Sequence, residues 1–405
     1  MTAPLVGSHA TNIGWADARN AAFALGAAVP RRPADVVPLA EAAGRVLAHD
    51  VFALSAMPRL DASAMDGWAV AEPGADGGWT VGKSVLAGDV PAITTLAQGE
   101  ARPIATGAPV PPGTVAVLRS EHGDVVGGTL RLGPLATRSP RPGDHVRPAG
   151  EEALRGDPLL RAGLPLTPPR IALCAAAGYD HLAVAAAVAG DLLVLGDELV
   201  DEGEPRPGAV RDALGPSLPG VLRSVGLGIV RHARCPDDAR ATLAALAATE
   251  APLVVTTGGS ARGPADFVRG AISGLGGRLV VDGVAMRPGH PVMVASLPGG
   301  RVLLALPGNP LAAMLCLVGL GTPIVDGMLG RRSARLGRAE LAAEAFAPAA
   351  SVRLMPCEET DDGLVPLRWQ GSGMLRGLAA ADAVAVIPAG GAPAGTSVPV
   401  LPLPW

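Results

Sequence analysis

The stretch APLVVTTGGSARGPADF, residues 251–267, runs from continuous apolar character into two threonines, two glycines and an aspartate. A short apolar run with no alternation, closed by turn residues, is the pattern of a strand buried on both faces. The glycines then allow a sharp turn with exposed backbone N–H groups. Two further stretches share this design. DLLVLGDEL (191–199) ends in Gly196, Asp197 and Glu198, and RVLLALPGNP (301–310) ends in Gly308, Asn309 and Pro310. Helical periodicity lies between and after them, at 238–249 and 310–320, with a further helix start near Pro264. Strands alternating with helices imply a mostly parallel sheet covered on both sides, a three-layer α/β unit over residues 171–328. Ligands of such sheets sit beyond the carboxyl ends of the strands.

Outward from this unit the texture changes. Residues 1–57 and 147–170 read as one discontinuous, mostly helical linking domain, with helical pieces at 16–25 and 39–50. Between them, 58–146 carries short β-prone runs punctuated by Gly and Pro, which predicts an inserted β-rich domain. Residues 329–405 return to β texture, as expected of a C-terminal barrel-like domain. The fold class is therefore multi-domain α/β plus β.

Composition sets bounds on function. Aromatic residues make up 2% of the chain, so Ala, Val and Leu must fill its cores. The formal charge of -4 gives no field for nucleic acid. Cys174, Cys235, Cys316 and Cys357 show no paired spacing and read as buried thiols of a reducing compartment. His9, His49, His122, His145, His181 and His232 show no mutual metal-binding spacing. The first residues lack a basic region followed by an apolar core, so the expectation is a cytoplasmic chain. The uncharged run 302–325 is broken by Pro307, Gly308, Pro310 and Pro323, and reads as strand, turn and helix rather than a membrane span.

The three strand-end loops carry the candidate chemistry. Asp197 and Glu198 suit a Mg²⁺ ion or a ribose, or simply an acidic turn. Thr257, Gly258 and Gly259 offer backbone N–H groups to an anion, and Asp266 follows them. Gly308 and Asn309 precede Pro310, a pattern that also serves as a plain helix start with Asn309 as N-cap. Elsewhere, SAMDGWAV (63–70) sets Asp66 before a strand, and IATGAPVPPG (104–113) sets Thr106 beside a glycine. MRPGHP (286–291) offers Arg287 and His290 to an oxyanion, and SVRL and WQGSG supply Arg353 and Ser372.

Taken together, PRLDASAMDGWAV, IATGAPVPPGTVAVLRSEH, RPAGEE, GDELV with PGAVRDA, VVTTGGSARGPADFV, MRPGHP, LALPGNPLAAM and QGSG resemble, in order, the molybdopterin molybdenumtransferase family, MoeA in bacteria. The resemblance implies a homodimer of four-domain subunits. Its active site would lie between the α/β domain and the inserted domain of the other subunit. It implies insertion of molybdate into adenylylated molybdopterin with release of AMP, assisted by Mg²⁺, and a possible encounter with the molybdopterin adenylyltransferase. By motif position, Asp266, Asp66 and Glu198 become catalytic or Mg²⁺-binding. Thr106, Thr257, Gly258, Gly259, Gly308 and Asn309 bind the pterin nucleotide. Arg287, His290, Pro291, Arg353 and Ser372 form the molybdate site.

The chain departs from the family pattern in places. Arg287-Pro288-Gly289-His290 stands for Lys-Pro-Gly-Lys. Ala261 and Pro264 replace a serine and an aspartate of the phosphate loop. Leu195, Ala213 and Leu214 replace polar residues. These losses raise a second reading, a diverged non-insertase paralog that binds a pterin, a nucleotide or a protein partner. A third is a pyrophosphate hydrolase on the same α/β unit.

Overall fold

The computed structural model describes residues 11–88, 95–260, 263, 267–333 and 335–405. Asp266 and the expected helix start at Pro264 lie outside these residues; the helix described there is Val268–Gly274.

A seven-stranded sheet forms the centre, in the order Thr11–Ile13, Arg278–Val284, Met293–Leu297, Arg301–Leu306, Leu253–Thr257, Val188–Leu195, Leu227–Cys235. Met293–Leu297 runs antiparallel to both neighbours, and the other pairings are parallel. The three apolar runs of the sequence are thus consecutive in space. Their alternate residues serve different layers. Leu192, Val194 and Val255 pack into one core with Leu218–Ser224 and the long helix after Pro310. Leu193, Leu195 and Val254 pack into the other with Ala239–Ala247 and Val268–Gly274. Each face is apolar because each is covered. Asp238 caps Ala239–Ala247 by accepting from Ala241 N at 2.8 Å.

The apolar segment after Pro310 is longer than its periodicity indicates. Pro310–Cys316 continues through a widened turn, Leu317–Gly321, into Thr322–Leu329. Pro323 has no N–H to donate to the previous turn, and the widened turn absorbs that gap. The whole run is long and apolar enough to cross a membrane, yet it is almost entirely buried inside the fold.

The expected mostly helical linking domain needs correction. Trp15–Ala27 is a helix, but it packs on Thr322–Leu329 of the α/β unit. Their backbones touch. A Cβ on Gly26 would meet Ile324 O at 2.0 Å, and one on Gly327 would meet Phe23 O at 2.4 Å. Thr11–Ile13 joins the central sheet. Residues 39–50 are not a helix beyond the single turn Leu39–Glu41. Their backbone groups bond to distant chain instead: Leu47 N to Leu164 O, Ala48 N to Ala183 O, and Leu166 N to Arg45 O. His181–Val184 pairs antiparallel with Asp35–Pro38, and Pro158–Leu160 with Val51–Phe52. Once those partners exist, helical bonding has nothing to add.

The segment between them builds a six-stranded sheet in the order Ala116–Arg119, Gly67–Val70, Glu100–Ile104, Trp79–Val81, Thr129–Leu132, Gly123–Val126. The C-terminal strands run Met286–Arg287, Val352–Thr360, Ala383–Ile387, Ser397–Leu401, Gly337–Glu340, with Gly363–Pro366 also on Val352–Thr360. A bridge from Leu341, just after Gly337–Glu340, to Leu364 in Gly363–Pro366 closes the strands into the barrel-like form. Its interior holds Leu341, Met355, Cys357, Leu364, Ile387 and Val398.

Candidate active site

Three loops converge because three strands are neighbours. Residues at the carboxyl ends of Val188–Leu195, Leu253–Thr257 and Arg301–Leu306 line one cavity of about 340 Å³. Glu198, Arg211, Thr257, Gly258, Gly308 and Asn309 are among them. Gly258 has φ +81°, and its N–H donates to Leu306 O at 3.1 Å. A Cβ on Gly308 would stand 3.7 Å from Gly258 Cα, so the two turns lie backbone against backbone. Such a floor lets an anion approach main-chain N–H groups without side-chain obstruction. Gly259 follows in the left-handed region, φ +62°.

The acidic pair at the first strand end divides. Glu198 lines the cavity, but Asp197 faces the other way, accepting from Asp237 N at 3.3 Å. Arg211 stands in the PGAVRDA segment, to which the sequence assigns no role at the site. The parallel pairing of Leu199–Val200 with Val210–Arg211 sets it opposite Val200, at the cavity that Glu198 also lines. Asp212, next to it, is buried and accepts from Leu214 N and Gly215 N at 2.9 and 2.8 Å, which shapes the turn.

A second cavity of about 410 Å³ lies on the other side of the Pro307–Gly308–Asn309 turn. Arg287, His290, Pro291, Asn309, Arg353 and Ser372 line it, with Gln370 and Phe346. No carboxylate is among its lining residues. Arg287 and Arg353 are register partners where Met286–Arg287 runs parallel to Val352–Thr360. Among the described residues their hydrogen bonds end on neutral oxygens: Met286 O for Arg287, and Phe346 O and Gln370 Oε1 for Arg353. Like charges directly opposite in a sheet repel. An anion between them removes that cost.

His290 adds a third potential cation. Its Nδ1 lies 2.9 Å from Val284 O, while Val284 N donates to His290 O at 3.0 Å. The carbonyl partner assigns the proton to Nδ1, so Nε2 donates only when the ring is an imidazolium. Gly289 makes this turn possible. At φ +108° it sits so close to the long helix that a Cβ would meet Cys316 Sγ at 2.4 Å.

Asn309 occupies the N-cap position but makes no side-chain cap hydrogen bond. Ser372 O instead accepts from Ala312 N at 3.1 Å, so the C-terminal domain satisfies this helix start. The Asn309 amide is left facing both cavities.

Asp66 and Thr106 lie apart from these cavities. Gly67 pairs with Ile104, which sets the residues just beyond the two strands opposite each other. Asp66 Oδ1 accepts from Thr106 N at 2.7 Å and from Thr106 Oγ1 at 3.0 Å. The backbone N–H of Thr106, then its hydroxyl, hold the exposed Asp66 carboxyl below its ordinary range. Among the described residues no three His, Cys, Asp or Glu side chains come together to hold a metal ion.

The α/β unit thus carries glycine turns at its strand ends beside a pocket whose arginines meet no acid among the described residues. Family models agree along the chain. The MoeA N-terminal region (domain I and II) matches residues 14–178, the probable molybdopterin binding domain 191–327, and the MoeA C-terminal region (domain IV) 338–403. The molybdopterin molybdenumtransferase of Synechococcus elongatus is 35% identical over 291 residues, covering 68% of this chain and 71% of the relative. Molybdopterin molybdenumtransferase 2 of Mycobacterium tuberculosis is 34% identical over 293 residues, covering 69% and 71%. The crystal structure of a MoeA molybdopterin biosynthesis protein from Pyrococcus horikoshii superposes with a TM-score of 0.76 at 26% identity, over 97% of this chain and 99% of that one. This chain belongs to the MoeA family of molybdopterin molybdenumtransferases.

Proposed function

We propose that this protein is an enzyme of molybdenum-cofactor biosynthesis that loads molybdate onto adenylylated molybdopterin and releases AMP. The observation that carries this reading is the meeting of two unlike cavities at Asn309. The phosphorylated end of the pterin fits the glycine-floored cavity, held by N–H groups of Gly259 and Gly308 with Gly258 and Thr257 beside them. Molybdate, a tetrahedral dianion, fits the carboxylate-free pocket of Arg287, His290, Pro291, Arg353 and Ser372. A dithiolene reaching across Asn309 then meets the oxyanion at short range, and proximity does the rest of the work.

Glu198, Asp266 and Asp66 act at the phosphate end, where AMP leaves. Asp66 and Thr106 line neither of these two cavities, which is consistent with their serving the site of a second copy in a homodimer. The described residues of one chain do not by themselves make a Mg²⁺ site. An ion arriving on the substrate phosphates, with Glu198 as a protein ligand, is the arrangement consistent with that, and no step is derived through it. The setting is cytoplasmic, and the molybdopterin adenylyltransferase is the partner whose product this enzyme consumes. Matches to the N-terminal and C-terminal models around the α/β unit favour this reading over a free-standing hydrolase.

Purified protein supplied with adenylylated molybdopterin should release AMP and load molybdenum in a saturable, molybdate-dependent manner. It should sediment as a dimer. Absence of loading at saturating molybdate would leave the paralog reading in its place.

A further inference from the structure

We propose that Gln370 is a positioning residue that holds the Arg353 guanidinium for oxyanion capture without neutralising it. The inference rests on the reading of the Arg287–Arg353 pocket as the molybdate site. Gln370 Nε2 donates to Leu367 O at 2.5 Å and to Pro356 O at 3.4 Å. Both acceptors are carbonyls, so the amide orientation is determined: its nitrogen is spent on them and Oε1 is left for Arg353. Arg353 Nη2 donates to that oxygen at 3.3 Å, and Nη1 donates to Phe346 O at 3.3 Å. Two neutral acceptors thus restrain this guanidinium, as carbonyls restrain Arg19 and Arg301, whereas other arginines of the chain are neutralised by acids. Arg231 rests on Asp191, Arg138 on Asp144 and Arg331 on Asp326.

The difference matters for an anion site. A carboxylate at position 370 would occupy the same space and pair with Arg353. It would also lose both donors that orient it. The incoming oxyanion would then compete with a resident negative charge. Glutamine supplies the geometric restraint and leaves the positive charge uncompensated beside its register partner Arg287.

Tungstate binding by calorimetry on the full chain, with KM and kcat for molybdate, tests the assignment. Gln370→Glu should weaken tungstate binding and raise KM by about tenfold or more, equivalent to at least one neutralised contact. Gln370→Met, which fills the space without polar atoms, should raise KM by a smaller factor with kcat nearly kept. In an Arg353→Ala background, Gln370→Glu should cause little further loss, because the residue acts through that arginine. If both single variants bind tungstate like the parent and differ only in melting temperature, the role of Gln370 is structural and the inference falls. An equal loss with and without Arg353 also overturns it. If the parent protein itself binds neither oxyanion, the pocket reading falls first.

Discussion

Arg287 and Arg353 stand side by side as register partners across the short parallel pairing that joins the central α/β unit to the C-terminal barrel. Sixty-six positions of sequence separate them, and the chain supplies no acid to either among the described residues. Arg353→Ala should raise KM for molybdate by about 10- to 100-fold, the scale of hydrogen bonds to charged groups. The melting temperature should hold or rise, since a like-charge contact is relieved. Steady-state kinetics with a thermal melt decide it, and unchanged KM would remove Arg353 from the site.

His290 Nδ1 already serves Val284 O, which leaves Nε2 as the ring atom available to the oxyanion pocket. His290→Ala should weaken tungstate binding by about 3- to 10-fold, the scale of one lost hydrogen bond. His290→Lys should retain it. Calorimetric titration with tungstate decides it, and unchanged affinity in His290→Ala would remove the ring from the site.

Asp66 is exposed and accepts twice from Thr106, so its removal costs catalysis rather than folding. Asp66→Ala should lower turnover by about 100-fold or more, within the range of a lost acid–base or positioning group. Its melting temperature should stay close to that of the parent. Mixing this variant with an Arg353→Ala variant tests the shared site. Mixed dimers should regain part of the activity if the two residues serve one site from different copies.

Gly26 and Gly327 let two helices touch backbone to backbone. Gly26→Ala should cost about 1–3 kcal/mol, because the added methyl meets a carbonyl that cannot step aside. Gly220, exposed on the helix Leu218–Ser224 with open space around it, is the control. Gly220→Ala should stabilise by about 0.4–1 kcal/mol. Denaturant unfolding separates the two, and equal effects would refute the close approach.

Asp144 should make the protein sensitive to acid. The Arg138 side chain, then the Arg141 N–H, hold its carboxyl down at about 2. A depressed folded value means the stabilisation is complete above the unfolded value near ~3.9 and drains away as pH falls toward the folded one. The stability gap between the parent and Asp144→Asn should therefore be constant near neutrality and close between about pH 4 and about pH 2. A gap that persists at the acid end would exclude the carboxylate as its source.

The sequence by itself determined the strands and the loops at their ends. Runs such as LVVTT and RVLLAL have one stable use in a folded chain, burial between two covered faces, and the glycines after them must turn. The helical stretch 238–249 was likewise legible, and Asp238 at its start caps the helix through a local bond. Only the tertiary structure decided which distant groups would meet. Residues 39–50 have a helical composition, yet backbone bonds of Arg45, Leu47 and Ala48 go to chain more than a hundred residues away. Asn309 looks like a cap, yet Ser372 O from another domain takes that place. Arg211 and Gln370 stand in the PGAVRDA and QGSG segments, but only strand pairing sets Arg211 at the cavity and only the packed C-terminal domain brings Gln370 to Arg353. Periodicity records which face of an element is apolar. It does not record what that face, or the loop after it, will be set against, because that is chosen by the summed free energy of contacts across the whole chain.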